Sequence, residues 1–132
     1  MNKICTSIEQ SKKLAKFLPL ESADMEYMFL KKDGSKVSNV PFVKDGFEEP
    51  ECCYIFIPCW SLAALLEKIP STIVNDAGEN LKLHIDKYTL HYSLSYENVY
   101  TGHKFEIETD MHENFVDACV EMILKLHEQK LL

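Results

Sequence analysis

The stretch LKLHIDKYTLHYSL, residues Leu81–Leu94, alternates apolar and polar side chains twice in succession. Leu81, Leu83 and Ile85 are separated by Lys82 and His84, with Asp86 following. Tyr88, Leu90, Tyr92 and Leu94 are separated by Thr89, His91 and Ser93. A period of two is the signature of a half-buried β-strand. With a turn at Asp86-Lys87, Ile85 faces Tyr88, Leu83 faces Leu90 and Leu81 faces Tyr92. Every apolar residue then falls on one side of an antiparallel hairpin. Asp-Lys is not the dipeptide that tight hairpins prefer, so the turn rests on the pairing alone. His103–Glu108 follows a turn at Gly102 and supplies a third strand, with Phe105 and Ile107 on the apolar side.

A sheet with one apolar face needs a cover. The chain's end provides one. Phe115, Val116, Cys119, Val120, Ile123 and Leu126 recur at helical spacing, which predicts a helix from about Asp110 to Gln129. Thr109 or Asp110 is the expected cap, and Glu113 falls in the first turn, where the helix dipole favours it. Two shorter helices are predicted. One runs from about Ser7 to Leu18, behind a Thr6-Ser7-Ile8-Glu9 capping box; the other spans Ser61–Ile69 and ends at Pro70. Glu26–Leu30 and Cys52–Ile57 read as strands. Ser35–Glu51, with Pro41, Gly46 and Pro50, reads as a loop free to move. The expected fold is α+β: a three- to four-stranded antiparallel meander covered on one face by a long C-terminal helix, with two shorter helices, in a single domain spanning residues 1–132.

Composition narrows the function. The 132 residues are 46% hydrophobic and 27% charged, an ordinary globular balance. Acidic residues outnumber basic ones by 21 to 14, for a net charge of −7. Phosphate-binding surfaces rely on Lys and Arg, so nucleic acid is disfavoured as a partner and a basic protein is favoured. Cys5, Cys52, Cys53, Cys59 and Cys119 are odd in number and irregular in spacing, unlike a disulfide framework. With no apolar run long enough for a leader or a membrane span, the expected compartment is the cytoplasm.

No catalytic signature is complete. His84, His91 and Asp86 share the polar face of the predicted hairpin, where two imidazoles on a diagonal could serve one metal or one proton path. Zinc asks for three or four ligands, and the alternative is that these are solvated strand residues. Cys52 and Cys53 are adjacent and so point to opposite faces. Cys59, or Cys52, would act as a nucleophile only beside a base such as His103 or His112; the alternative for each is a small buried hydrophobe. Ser61 lacks the glycines of a nucleophile elbow and suits a helix cap. His112-Glu113 begins a metalloprotease-like pattern that fails at Val116. Isolated glycines at 34, 46, 78 and 102 build no phosphate or dinucleotide loop, so no cofactor is expected. Tyr54, Tyr96 and Tyr100 are residues of the core or of an interface rim.

Two segments, IPCWSLAALLEKIP (Ile57–Pro70) and DACVEMILKLHEQKLL (Asp117–Leu132), resemble small uncharacterised proteins encoded in phages and integrated elements of gut bacteria. The resemblance covers about a quarter of the chain. It implies a mobile-element setting and brings no catalytic residues with it. The expectation is a non-catalytic accessory module that binds a host or phage protein, with pairing as a homodimer open to it. The alternative is a small metal-dependent or cysteine hydrolase built on the His84/His91 face.

Overall fold

A computed structural model describes residues 3–44, 53–101 and 104–132. The chain divides into two compact units, Ile4–Ala64 and Met1–Lys3 with Leu65–Leu132. In chain order the elements are α1 (Ile8–Leu14), β1 (Met25–Leu30), β2 (Phe42–Val43), β3 (Tyr54–Cys59), α2 (Leu62–Lys68), β4 (Thr72–Val74), β5 (Asn80–Lys87), β6 (Tyr92–Glu97), β7 (Lys104–Glu108) and α3 (Phe115–Glu128). Two antiparallel sheets and the helices make an α+β fold. No described helix is long and apolar enough to cross a membrane.

In the first unit β1 is central to a three-stranded sheet, flanked by β2 and β3. Pro58 sits within β3 opposite Glu26, and an edge strand tolerates its missing N–H. β2, together with a bridge between Phe29 and Lys36, gives paired structure to part of the segment expected to be a loop; residues 45–52 lie outside the described set, Cys52 among them. Helix α1 is shorter than expected and its cap lies one residue later. The Ser7 side chain accepts from the Gln10 N–H at 3.2 Å, and Gln10 Oε1 returns a bond to the Ser7 N–H at 2.9 Å. Thr6 is not the cap because it is fully buried elsewhere. Its Oγ1 accepts from the Trp60 N–H at 3.1 Å and lies 2.8 Å from Ser11 Oγ. Trp60 is itself buried, with its indole N–H on Ser22 Oγ at 2.9 Å. Ser61 is the cap of α2: its Oγ accepts from the Ala64 N–H at 3.2 Å. Asp24 holds that serine by accepting from its N–H at 2.8 Å and from its hydroxyl.

The second unit is the meander β4-β5-β6-β7, with α3 packed on β6 and β7. Leu81, Leu94, Tyr96 and Ile107 on the sheet are buried, as are Val116, Cys119, Val120, Met122, Ile123 and Leu126 on the helix. The Tyr96 hydroxyl donates to the Pro70 carbonyl at 2.6 Å, and burial raises its pKa.

Two expectations about this unit are corrected. The hairpin turn is not Asp86-Lys87. The strands continue to Lys87 opposite Tyr92, the loop is Tyr88–His91, and the Tyr88 N–H closes on the His91 carbonyl at 2.8 Å. Ile85 therefore faces Leu94 rather than Tyr88, Leu83 faces Tyr96 rather than Leu90, and His84 faces Ser95. The last helix begins at Phe115 rather than Asp110. Residues 110–113 stay non-helical because Tyr92 and His112 exchange backbone hydrogen bonds of 2.7 and 2.9 Å. Asn114 is the cap, accepting from the Val116 N–H at 2.9 Å. Thr109 cannot cap, since its Oγ1 accepts from the Leu94 N–H at 2.9 Å instead.

Candidate functional site

Strand pairing lays a polar face across the second unit. On β5 the residues pointing away from Leu81 and Leu83 are Lys82, His84 and Asp86; on β6 they are Ser93, Ser95 and Glu97. Glu108 of β7 stands opposite Ser95, so His84, Ser95 and Glu108 form one row across three strands. Asp86 and Ser93 form the next pair.

A cleft of about 300 Å³ opens at this end of the face, lined by Asp86, Ser93, Ser95, Glu108, Thr109 and Asp110, with Leu94, Tyr88 and Met111 beside them. Among the described residues three carboxylates line it and no basic side chain does. The Glu108 and Asp110 side chains make no hydrogen bond or ion pair among the described residues. The Lys125 ammonium is occupied by the Glu108 carbonyl at 2.6 Å and by Glu121 at 3.1 Å. Ser95 is only 4% exposed, and its Oγ is the one buried side-chain oxygen or nitrogen among the described residues with no hydrogen-bond partner. A hydroxyl left in that state is costly, so an unpaired one on the floor of a cleft calls for a partner.

A larger cleft of about 550 Å³ lies between the β4–β5 turn and the end of α3, lined by Asn75, Asp76, Ala77, Leu81, Ile107, Gln129 and Leu131. Its lining is mainly apolar, and among the described residues no unpartnered buried polar atom opens onto it. Size favours this cleft; chemistry favours the smaller one.

No family model matches this chain, and no curated protein or solved structure does.

The residues singled out from sequence separate in space. His84 and Asp86 come together: Nε2 lies 2.8 Å from Asp86 Oδ1, and Nδ1 lies 3.5 Å from Glu97 Oε2. Both ring nitrogens thus face carboxylates, and neither is left to take a proton from Ser95 across the strand pair. His91 sits in the hairpin loop, off the paired strands that carry His84 and Asp86. Among the described residues no three His, Cys, Asp or Glu side chains are placed to share a metal ion. His112 bonds Glu121 at 2.7 Å; His103 lies outside the described residues.

Cys59 belongs to the unit Ile4–Ala64, which contains no histidine. It is fully buried, and its hydrogen bond with Cys5, together with burial, raises its thiol far above the ordinary range. The thiolate is the nucleophilic form, so this environment works against nucleophilic chemistry. Burial likewise pushes the Cys119 thiol up to about 12.

Sequence reasoning passed over Ser93, Ser95, Glu97, Glu108 and Asp110. The signal for the first three was present in the alternation of Leu81–Leu94 and its continuation. What was missing was the register that sets Ser95 between His84 and Glu108.

Proposed function

We propose that this chain is a non-catalytic protein-interaction module that uses the acidic polar face of its four-stranded sheet to bind a basic partner. The observation that carries the reading is the cleft lined by Asp86, Glu108 and Asp110, with no basic side chain among the described residues of its lining and with apolar groups beside them. Tyr88, Leu90 and Met111 are exposed at the same end of the sheet, 46%, 71% and 58% respectively. An acidic centre beside exposed apolar side chains suits a protein surface that offers both charge and hydrocarbon. The net charge of −7 adds long-range attraction for such a partner. In the mobile-element setting that the sequence resemblance implies, that partner is a host or phage protein.

The His84–Asp86 pair supports a second reading, a small hydrolase using His84 as an acid–base group. It is the weaker one, because His84 is flanked by two carboxylates and the adjacent serine is not bonded to it. Affinity purification of the tagged chain from its native host, read by mass spectrometry, tests the first reading. A stoichiometric partner lost on Asp86→Asn with Glu108→Gln is the expected result. No partner, together with ester hydrolysis abolished by His84→Ala, would replace it with the second.

A further inference from the structure

The cleft on the polar sheet face has a composition that selects among cations. Three features define it. Glu108 and Asp110 offer exposed carboxylates with no partner among the described residues. Ser95, 96% buried by its 4% exposure, presents an unpaired hydroxyl between His84 and Glu108. Tyr88 contributes an exposed aromatic ring to the lining.

A divalent metal needs several oxygens within a short radius of one point. Among the described residues no three acidic, His or Cys side chains converge in that way. The acceptors are instead distributed around some 300 Å³, the lower end of the range that small-molecule sites occupy. A group that fits must carry positive charge, spread several donors over a plane and tolerate an aromatic neighbour. Guanidinium has five N–H donors in a rigid fork, pairs with carboxylates two bonds at a time and stacks on aromatic faces. An ammonium concentrates its charge at one point and needs strong hydration.

We propose that this cleft is a recognition site for a guanidinium group, the arginine side chain of a protein partner, with Glu108 and Asp110 taking its charge and Ser95 Oγ accepting one of its N–H groups. The inference rests on the reading of the chain as an interaction module and supplies the chemistry of that contact. A peptide-borne arginine is favoured over the free amino acid, because the α-carboxylate of free arginine would meet the acidic lining with like charge.

The test is a titration of the full-length protein, followed by amide NMR, with four ligands: capped Gly-Arg-Gly, its neutral citrulline isostere, capped Gly-Lys-Gly and free L-arginine. The expected result is saturable shifts at Ser93, Ser95, Glu108, Thr109 and Asp110 with the arginine peptide, and at least about tenfold weaker binding of the other three. Glu108→Gln with Asp110→Asn alters only exposed side chains and should weaken the arginine peptide about tenfold; Ser95→Ala should weaken it severalfold while its amide spectrum stays that of a folded protein. Absence of shifts at these amides overturns the proposal. So does equal response to citrulline, equal binding of the lysine peptide, tighter binding of free arginine, or a Ser95→Ala variant with undiminished affinity, which would mean that the hydroxyl is merely hydrated. If the peptides fail while a host partner still binds and ignores the Glu108→Gln, Asp110→Asn change, the cleft and its acidic face fall as the contact, and only the reading of the chain as an interaction module stands. If no host partner exists either, both fall.

Discussion

Thr6→Val separates hydrogen bonding from packing in the first unit. The geometry fixes the direction of every proton in a short chain. The Trp60 N–H donates to Thr6 Oγ1 at 3.1 Å, and the Ser11 hydroxyl donates to the Ser7 carbonyl at 2.6 Å. The Thr6 hydroxyl must therefore donate to Ser11 Oγ, 2.8 Å away. Valine has nearly the same shape as threonine, so it leaves no cavity, but it removes the acceptor for a buried backbone N–H. An orphaned donor of that kind costs about 1–3 kcal/mol. Ser11 keeps its bond to Ser7 and adds little. The expected loss is about 2 kcal/mol, or about 1 M in the urea midpoint for a slope of ordinary size. Thr6→Ser keeps the hydroxyl and deletes one buried methyl, at about 1 kcal/mol. A pure packing account predicts the reverse order, valine harmless and serine costly. Trp60 is the only tryptophan and is fully buried, so its fluorescence during urea unfolding reports on this unit. A Thr6→Val protein as stable as wild type, or more stable than Thr6→Ser, would refute the chain of bonds described.

Asp24→Ala should cost about 2 kcal/mol by the same measurement, because it strips the acceptor from both the N–H and the hydroxyl of the serine that caps α2; Asp24→Asn, which retains one acceptor oxygen, should cost less. Glu121 is pulled in two directions: burial raises its pKa, but hydrogen bonds from His112, the Asp110 N–H and Lys125 outweigh this and hold it below the usual carboxylate range. Its folded pKa is thus below its unfolded one, so its contribution is complete above about pH 4.3 and disappears as pH falls through the lower folded value. Glu121→Gln should therefore be less stable than wild type at pH 7 and indistinguishable from it at the acid end, as read by urea midpoints across that range. Cys119, buried and with its thiol pushed up to about 12, should escape iodoacetamide at pH 8 in the folded protein, while exposed Cys53 reacts; peptide mapping that finds Cys119 modified first would contradict the packing of α3.

The sequence carried the faces of the second sheet better than its neighbours. Placing the turn at Asp86-Lys87 gave Ile85 the partner Tyr88, whereas its partner is Leu94, six residues further along. Six is even, so odd residues of β5 still meet even residues of β6, and the apolar set stays on one side. The alternation is a local property and was legible. The position of the loop was not, because Tyr88–His91 lacks the glycine or asparagine that marks a tight turn. The consequence at the surface is uneven: Ile85 and Leu90, counted as inward from the pattern, are 41% and 71% exposed, and Leu90 lies in the hairpin loop beyond the last strand pair, Lys87 with Tyr92.

Helix ends show the same limit. The apolar stripe of α3 was read from the side chains it buries, but its first residue is fixed by a bond across the sheet, between His112 and Tyr92. Thr6 and Thr109 both looked like helix caps, and both hydroxyls are used instead on backbone N–H groups distant in sequence, those of Trp60 and Leu94. A cap is a local bond, and it loses whenever a buried N–H without another partner lies within reach, since leaving that group unpaired costs more than moving a helix start by a few residues. The candidate site follows from the same hierarchy. His84 and Asp86 are two residues apart on one strand face, so their meeting needed only the strand. Ser95 and Glu108 join them only through two strand pairings, and the chemistry of the cleft, three carboxylates around an unpaired hydroxyl, is a property of that register rather than of any motif along the chain.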